Sequence, residues 1–68
     1  MLKRTIKANF DAYDEAKQEW KINFHSLTFE AEAETEKELN EKAHTRCEAV
    51  CDEICRDTGF EAIYQYTA

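Results

Sequence analysis

Apolar and polar residues alternate along the first third of the chain with the two-residue period of a β-strand. In residues 4–13 one face is apolar, with Ile6, Ala8, Phe10 and Ala12. Residues 14–18 interrupt this alternation and predict a hairpin loop, and a second strand begins at Glu19. The pattern therefore predicts an antiparallel hairpin with one face turned towards a core.

The second strand contains a change of phase. Its apolar residues occupy first even and then odd positions, namely Trp20, Ile22 and Phe24, followed by Leu27, Phe29, Ala31 and Ala33. A β-bulge near His25–Ser26 would keep both sets on the core face. Pairing Tyr13 with Glu19 across the loop then places Phe10 opposite Ile22. A separate turn at His25–Ser26, giving four strands, is the alternative.

After Thr35 the apolar period becomes that of a helix. Thr35 and Glu38 have the spacing of a capping box, in which each residue can satisfy a backbone donor of the other. The helix is predicted from residue 36 to about residue 57, and Gly59, the only glycine, is the residue that ends it. A last strand follows over residues 60–66. One side of it carries Phe60, Ala62, Tyr64 and Tyr66 and the other carries Ile63, so one of these two apolar sides must face away from the helix.

These elements predict a single α+β domain over residues 1–68 in the order β-β-α-β. The expected sheet has three antiparallel strands with the first strand central, and the long helix packs across one face.

The charge of the chain is strongly acidic and unevenly distributed. The formal net charge is −6: residues 1–21 have five Lys/Arg against four Asp/Glu, and residues 22–68 have four against eleven. This balance argues against direct binding to nucleic acid and favours a protein partner with a basic surface, which the chain could engage as a nucleic-acid mimic. Because no apolar run suits a membrane span or a secretory signal, we expect a cytoplasmic protein without a membrane partner.

Three cysteines lie one helical turn apart at Cys47, Cys51 and Cys55, where the geometry for a disulfide is poor. Small apolar core residues are the simplest interpretation. With His44 they could instead hold zinc, but four side chains along one helix cannot all converge on a tetrahedral ion. A redox role is the other alternative. We predict no metal, cofactor or catalytic residue, and no enzymatic activity.

Two sets of side chains are candidates for partner binding. The first is a run of glutamates, here called the acidic ridge, formed by Glu30, Glu32, Glu34, Glu36, Glu38 and Glu41. The dipole of the helix already accounts for Glu36 and Glu38 without any partner. The second set is Tyr13, Tyr64 and Tyr66, with His25 and Ile63, because tyrosine combines contact area with a polar tip.

From Phe29 onward the chain resembles small phage-encoded inhibitors of host RNA polymerase. The matching stretches are Ala33-Glu34-Thr35 and Gly59-Phe60-Glu61, in a strand–Thr–helix–Gly–strand layout. Where that family has arginines that contact the polymerase, this chain has Tyr64 and Tyr66. The resemblance implies a small acidic protein that occupies a site on a larger host machine, and inhibitors of CRISPR and restriction systems are built to similar sizes and charges.

The predicted function is therefore a non-enzymatic phage-type inhibitor that binds a basic surface on a polymerase, CRISPR or restriction complex. A self-associating homodimeric module is the first alternative. A metal or redox sensor acting through the helical cysteines is the second.

Overall fold

A computed structural model describes residues 1–67 and shows three strands and one helix. The strands are β1 (Leu2–Asp14), β2 (Glu19–Ala33) and β3 (Glu61–Thr67), and the helix is α1 (Glu36–Thr58). All strand pairs are antiparallel, and the order across the sheet is β2-β1-β3. The predicted β-β-α-β fold with a central first strand is confirmed.

The hairpin loop is one residue shorter than expected because Asp14 continues β1 and pairs with Glu19. The Asp14 side chain is buried, and its Oδ1 accepts hydrogen bonds from the backbone N–H groups of Ala16 and Lys17, at 3.1 and 3.3 Å. Gln18 closes the loop in a left-handed conformation, with φ of 52°. The predicted pairing of Tyr13 with Glu19 is therefore wrong by one residue.

The irregularity in β2 lies over residues 22–24, just before the expected site at His25–Ser26. Phe10 pairs with His25 and Ala12 pairs with Lys21, so that Asp11 alone faces three residues of β2. Asn23 adopts φ of 53°, and its N–H donates to Asp11 Oδ1 at 2.9 Å. This larger bulge shifts the register by two residues. The expected placement of Phe10 opposite residue 22 is consequently wrong.

Helix α1 begins at the predicted residue and ends at Thr58, one residue beyond the predicted end. Thr35 Oγ1 accepts the N–H of Glu38 at 3.2 Å, which satisfies a donor that the first helical turn cannot satisfy itself. Gly59 has φ of 79°, and its N–H donates to the carbonyl of Cys55 at 2.8 Å. Over residues 1–67, no helix is long and apolar enough to cross a membrane.

The core lies between α1 and one face of the sheet. Its fully or almost fully buried residues are Ile6, Ala8, Phe10 and Ala12 of β1, Ala31 and Ala33 of β2, and Leu39, Ala43, Cys47 and Ile54 of α1. Tyr64 and Tyr66 of β3 pack against this core, which leaves Ile63 on the other side. The ambiguity in the last strand is thereby resolved.

Within residues 1–67 no helix packs against the other face of the sheet, which is here called the open face. It carries the odd-numbered residues of β1 and β3, and from β2 it carries Trp20, Ser26, Thr28, Glu30 and Glu32. The molecule is elongated, with extents of 45 × 17 × 15 Å, so the open face is a long surface.

Candidate interaction surfaces

The residues of the acidic ridge lie in two parts of the structure, on β2 and at the start of α1. Glu30 and Glu32 belong to the open face because their neighbours along β2 point into the core. Both carboxylates lie close to Lys3 Nζ, at 3.5 and 3.6 Å. These two charges are therefore partly compensated within the protein.

The remaining ridge residues lie at the start of α1, beyond the edge of β2. Glu36 Oε1 accepts a hydrogen bond from Arg4 Nη2 at 2.8 Å. Glu34, Glu38 and Glu41 are exposed, and over residues 1–67 none of these three forms an ion pair. We call them the helical acidic cluster. Within the described part of the chain, Lys42 and Arg46 line the same surface groove as Glu38 and Glu41, without an ion pair to either.

Tyr64 and Tyr66 connect β3 to the helix and do not form a contact surface with Tyr13. Tyr64 Oη lies 2.7 Å from Nδ1 of His44, and Tyr66 Oη donates to Asn40 Oδ1 at 3.4 Å. Burial, followed by the nearby charge of Glu48, raises the pKa of Tyr64. Both tyrosine hydroxyls therefore contact side chains of α1, while the rings pack against the core.

Tyr13 lies on the opposite side, where it takes part in a surface that sequence reasoning missed. Its ring lies against Trp20, with the centroids 5.0 Å apart. Ile63 follows diagonally on β3, since it pairs with Asp11 while Tyr13 pairs with Glu61. Ile22 lies two residues beyond Trp20 on β2 and is 66% exposed, so it extends the apolar surface to the start of the bulge. We call Tyr13, Trp20, Ile22 and Ile63 the apolar strip.

The strip was missed because its β2 residues were expected to be inside the core. The available signal was the change of phase itself, together with Asn23. Two apolar sets of opposite parity cannot both face the helix in a regular strand, and asparagine is a residue that tolerates left-handed backbone angles. A bulge at Asn23 leaves Trp20 and Ile22 outside.

The cysteines occupy graded environments along the helix. Cys47 is buried, Cys51 is half-buried and Cys55 is exposed. Burial raises the pKa of the Cys47 thiol, and burial is also the main cause of the raised pKa of Cys51. Raised values favour the neutral thiol, which is the poorer metal ligand and nucleophile. No group of three potential metal ligands occurs among residues 1–67.

No protein-family model, curated protein or solved structure matches this chain.

Proposed function

We propose that this protein is a non-enzymatic binding module that occupies a basic, normally nucleic-acid-binding surface of a larger assembly. The observation that supports the proposal is the excess of fifteen acidic over nine basic residues, combined with the exposure of the helical acidic cluster. A basic surface that evolved to bind phosphates attracts such a display of carboxylates through the same long-range electrostatic forces.

The fold holds the helical acidic cluster in place. Glu34 directly precedes the Thr35 cap, and Glu38 and Glu41 lie on neighbouring turns of the capped helix. Residues three or four apart on a helix are neighbours on its surface, so these carboxylates present a defined array. Rigid placement lowers the entropic cost of docking.

The same carboxylates are poor candidates for catalysis. Acid–base catalysis by a carboxylate depends on a buried partner or an apolar pocket that brings its pKa close to the working pH. Glu34, Glu38 and Glu41 face solvent. The buried carboxylate of Asp14 is already hydrogen-bonded within the hairpin loop.

By analogy with the small phage inhibitors that the chain resembles, the proposed partners are a host RNA polymerase, a CRISPR effector complex or a restriction enzyme. A cytoplasmic location follows from these partners. Inhibition would then require only that the module exclude DNA or RNA from the surface it covers.

The proposal is tested by gel filtration of extract from the cell in which the protein acts. At low ionic strength we expect the 8.0 kDa protein to elute with a much larger partner. High salt or a polyanion such as heparin should release it, because screening weakens exposed charge pairs. Elution as a free monomer or dimer at low salt would contradict the proposal.

A matched pair of variants shows which charges matter. Changing Glu34, Glu38 and Glu41 together to Gln should release the protein at lower salt. Changing Glu48 and Glu53 to Gln and Asp52 to Asn also removes three exposed carboxylates, further along the helix, and should have the smaller effect. Equal effects of the two variants would mean that net charge, and not the helical acidic cluster, determines binding.

The second candidate function is a self-associating module, which the exposed apolar strip favours. A dimer formed through the strip would appear in sedimentation equilibrium of the purified protein. It should dissociate when Ile22 and Ile63 are replaced by Thr.

A further inference from the structure

We propose that the apolar strip is a second docking surface, and that its occupant is a segment of another protein in which arginine or lysine accompanies apolar side chains. The inference rests on the proposed function, since it describes how a basic partner would be held. It adds a contact site at the hairpin end, away from the helical acidic cluster.

The large apolar side chains of the strip are unusually exposed. Trp20 is 50% exposed, Ile22 66% and Ile63 53%, although residues of these types are usually buried. Phe24, on the same edge of the sheet, is 40% exposed and meets the ring of Phe60 edge-on with centroids 5.8 Å apart. The apolar surface therefore extends from the open face around the edge of β2.

On the open face, the exposed large apolar side chains are confined to the hairpin end. Beyond the strip the same face is polar, with Lys3, Thr5, Lys7 and Asn9 on β1, Ser26, Thr28, Glu30 and Glu32 on β2, and Gln65 and Thr67 on β3. A solvated sheet face of this kind carries threonine and charged residues without difficulty. Apolar residues gathered at one end of such a face are typical of a contact site.

The strip crosses all three strands. Trp20 lies on β2, Tyr13 on β1 and Ile63 on β3, and adjacent strands are about 4.8 Å apart. The strip is therefore about 10 Å wide between its outer strands, which matches the diameter of one helix or the width of a short extended segment. Trp20 and Tyr13 belong to the residue types that dominate binding energy at interfaces.

The acidic side chains beside the strip favour an occupant that carries positive charge. Glu61 pairs with Tyr13 and Asp11 pairs with Ile63, so two carboxylates border the strip on the open face. Arginine beside apolar residues would complement both carboxylates and could stack on the rings of Tyr13 and Trp20. A second copy of this chain would bring the same carboxylates and a further net charge of −6, which opposes self-association.

Two peptide probes test the inference on the intact protein. The first is an amphipathic helix of about 18 residues, or five turns, built from leucine and arginine, and the second has glutamate in place of arginine. Trp20 is the only tryptophan, so its fluorescence reports burial of the strip directly. We expect a saturable blue shift with the arginine peptide and none with the glutamate peptide.

Two variants locate the binding. Replacing Ile22 and Ile63 by Thr keeps β-branched residues in the strands and should weaken the arginine peptide by about tenfold or more. The Thr5→Ser/Thr28→Ser variant is the matched control, because it also changes two exposed residues of the open face, on β1 and β2, but outside the strip. It should leave the affinity unchanged, and circular dichroism should show the same fold for both variants.

Three outcomes would overturn the inference: equal affinity in the Ile22→Thr/Ile63→Thr variant, equal binding of the two peptides, or a concentration-dependent dimer that this variant abolishes. Failure of the proposed function looks different, since it consists of the absence of a larger salt-sensitive complex in the extract. A salt-sensitive complex that the Ile22→Thr/Ile63→Thr variant leaves intact would refute the docking site alone.

Discussion

At the scale of single residues, two threonine hydroxyls on the same helix have opposite roles. Thr35 Oγ1 accepts the N–H of Glu38 at the first turn, where that donor has no partner within the helix. Thr45 Oγ1 donates to the carbonyl of Glu41 at 2.9 Å, and that carbonyl can already accept a bond from within the helix. Only the Thr35 contact satisfies a backbone group that has no other partner within the helix.

Replacing each threonine by alanine should therefore give different results. Thr35→Ala is expected to lower the free energy of unfolding by about 1 kcal/mol, because the N-cap is lost. Thr45→Ala, the matched control, should be neutral or slightly stabilising, since alanine has the higher helix propensity. Urea denaturation followed by circular dichroism measures both. An equal loss in the two variants would contradict the capping role.

At the scale of elements, the parts set by local interactions were predicted from the sequence. Capping at Thr35 and termination at Gly59 involve residues that are neighbours in the chain, so the bounds of the helix agree within one residue. The register of the hairpin was not predictable in this way. It depends on whether Ala31 and Ala33, or instead Trp20, fit beneath the helix, and that is a question of tertiary packing.

The candidate site was predicted less well than the fold for the same reason. The sequence identifies Glu38 and Glu41 as exposed helix residues and groups Glu34 with Glu30 and Glu32 on one face of a strand. In the structure β2 ends at Ala33, before Glu34, and which face of β2 is buried decides where Glu30 and Glu32 lie. The apolar strip depends on the position of the bulge at Asn23, which only the competition between two apolar sets decides.

The contact between β3 and α1 provides a prediction at the element scale. Tyr64→Phe removes the 2.7 Å hydrogen bond to His44 but keeps the ring in the core, so the free energy of unfolding should fall by about 1 kcal/mol. Tyr66→Phe is the matched control. Its bond to Asn40 is longer, at 3.4 Å, and should matter less. A larger loss in Tyr66→Phe, measured by urea denaturation, would contradict this ranking.

At the scale of the whole molecule, charge acts on stability as well as on binding. The net charge of −6 is spread over a thin, elongated body, while ion pairs among residues 1–67 involve only Glu30, Glu32 and Glu36. Exposed pairs of this kind contribute little to stability. Repulsion among the uncompensated carboxylates should therefore outweigh attraction within the pairs.

Added salt should consequently stabilise this protein. Between about 20 and 300 mM NaCl, screening reduces the repulsion, and we expect the Tm measured by calorimetry to rise. Changing Asp52 to Asn and Glu53 to Gln brings the net charge from −6 to −4 and removes two exposed carboxylates from the C-terminal half of the helix. This variant should melt at a higher temperature in low salt, and its Tm should rise less as NaCl is added.

Lys17→Gln, in the exposed hairpin loop, changes the net charge to −7, and its Tm should rise more as NaCl is added. A Tm that falls as NaCl is added would mean that the ion pairs to Lys3 and Arg4 outweigh the repulsion.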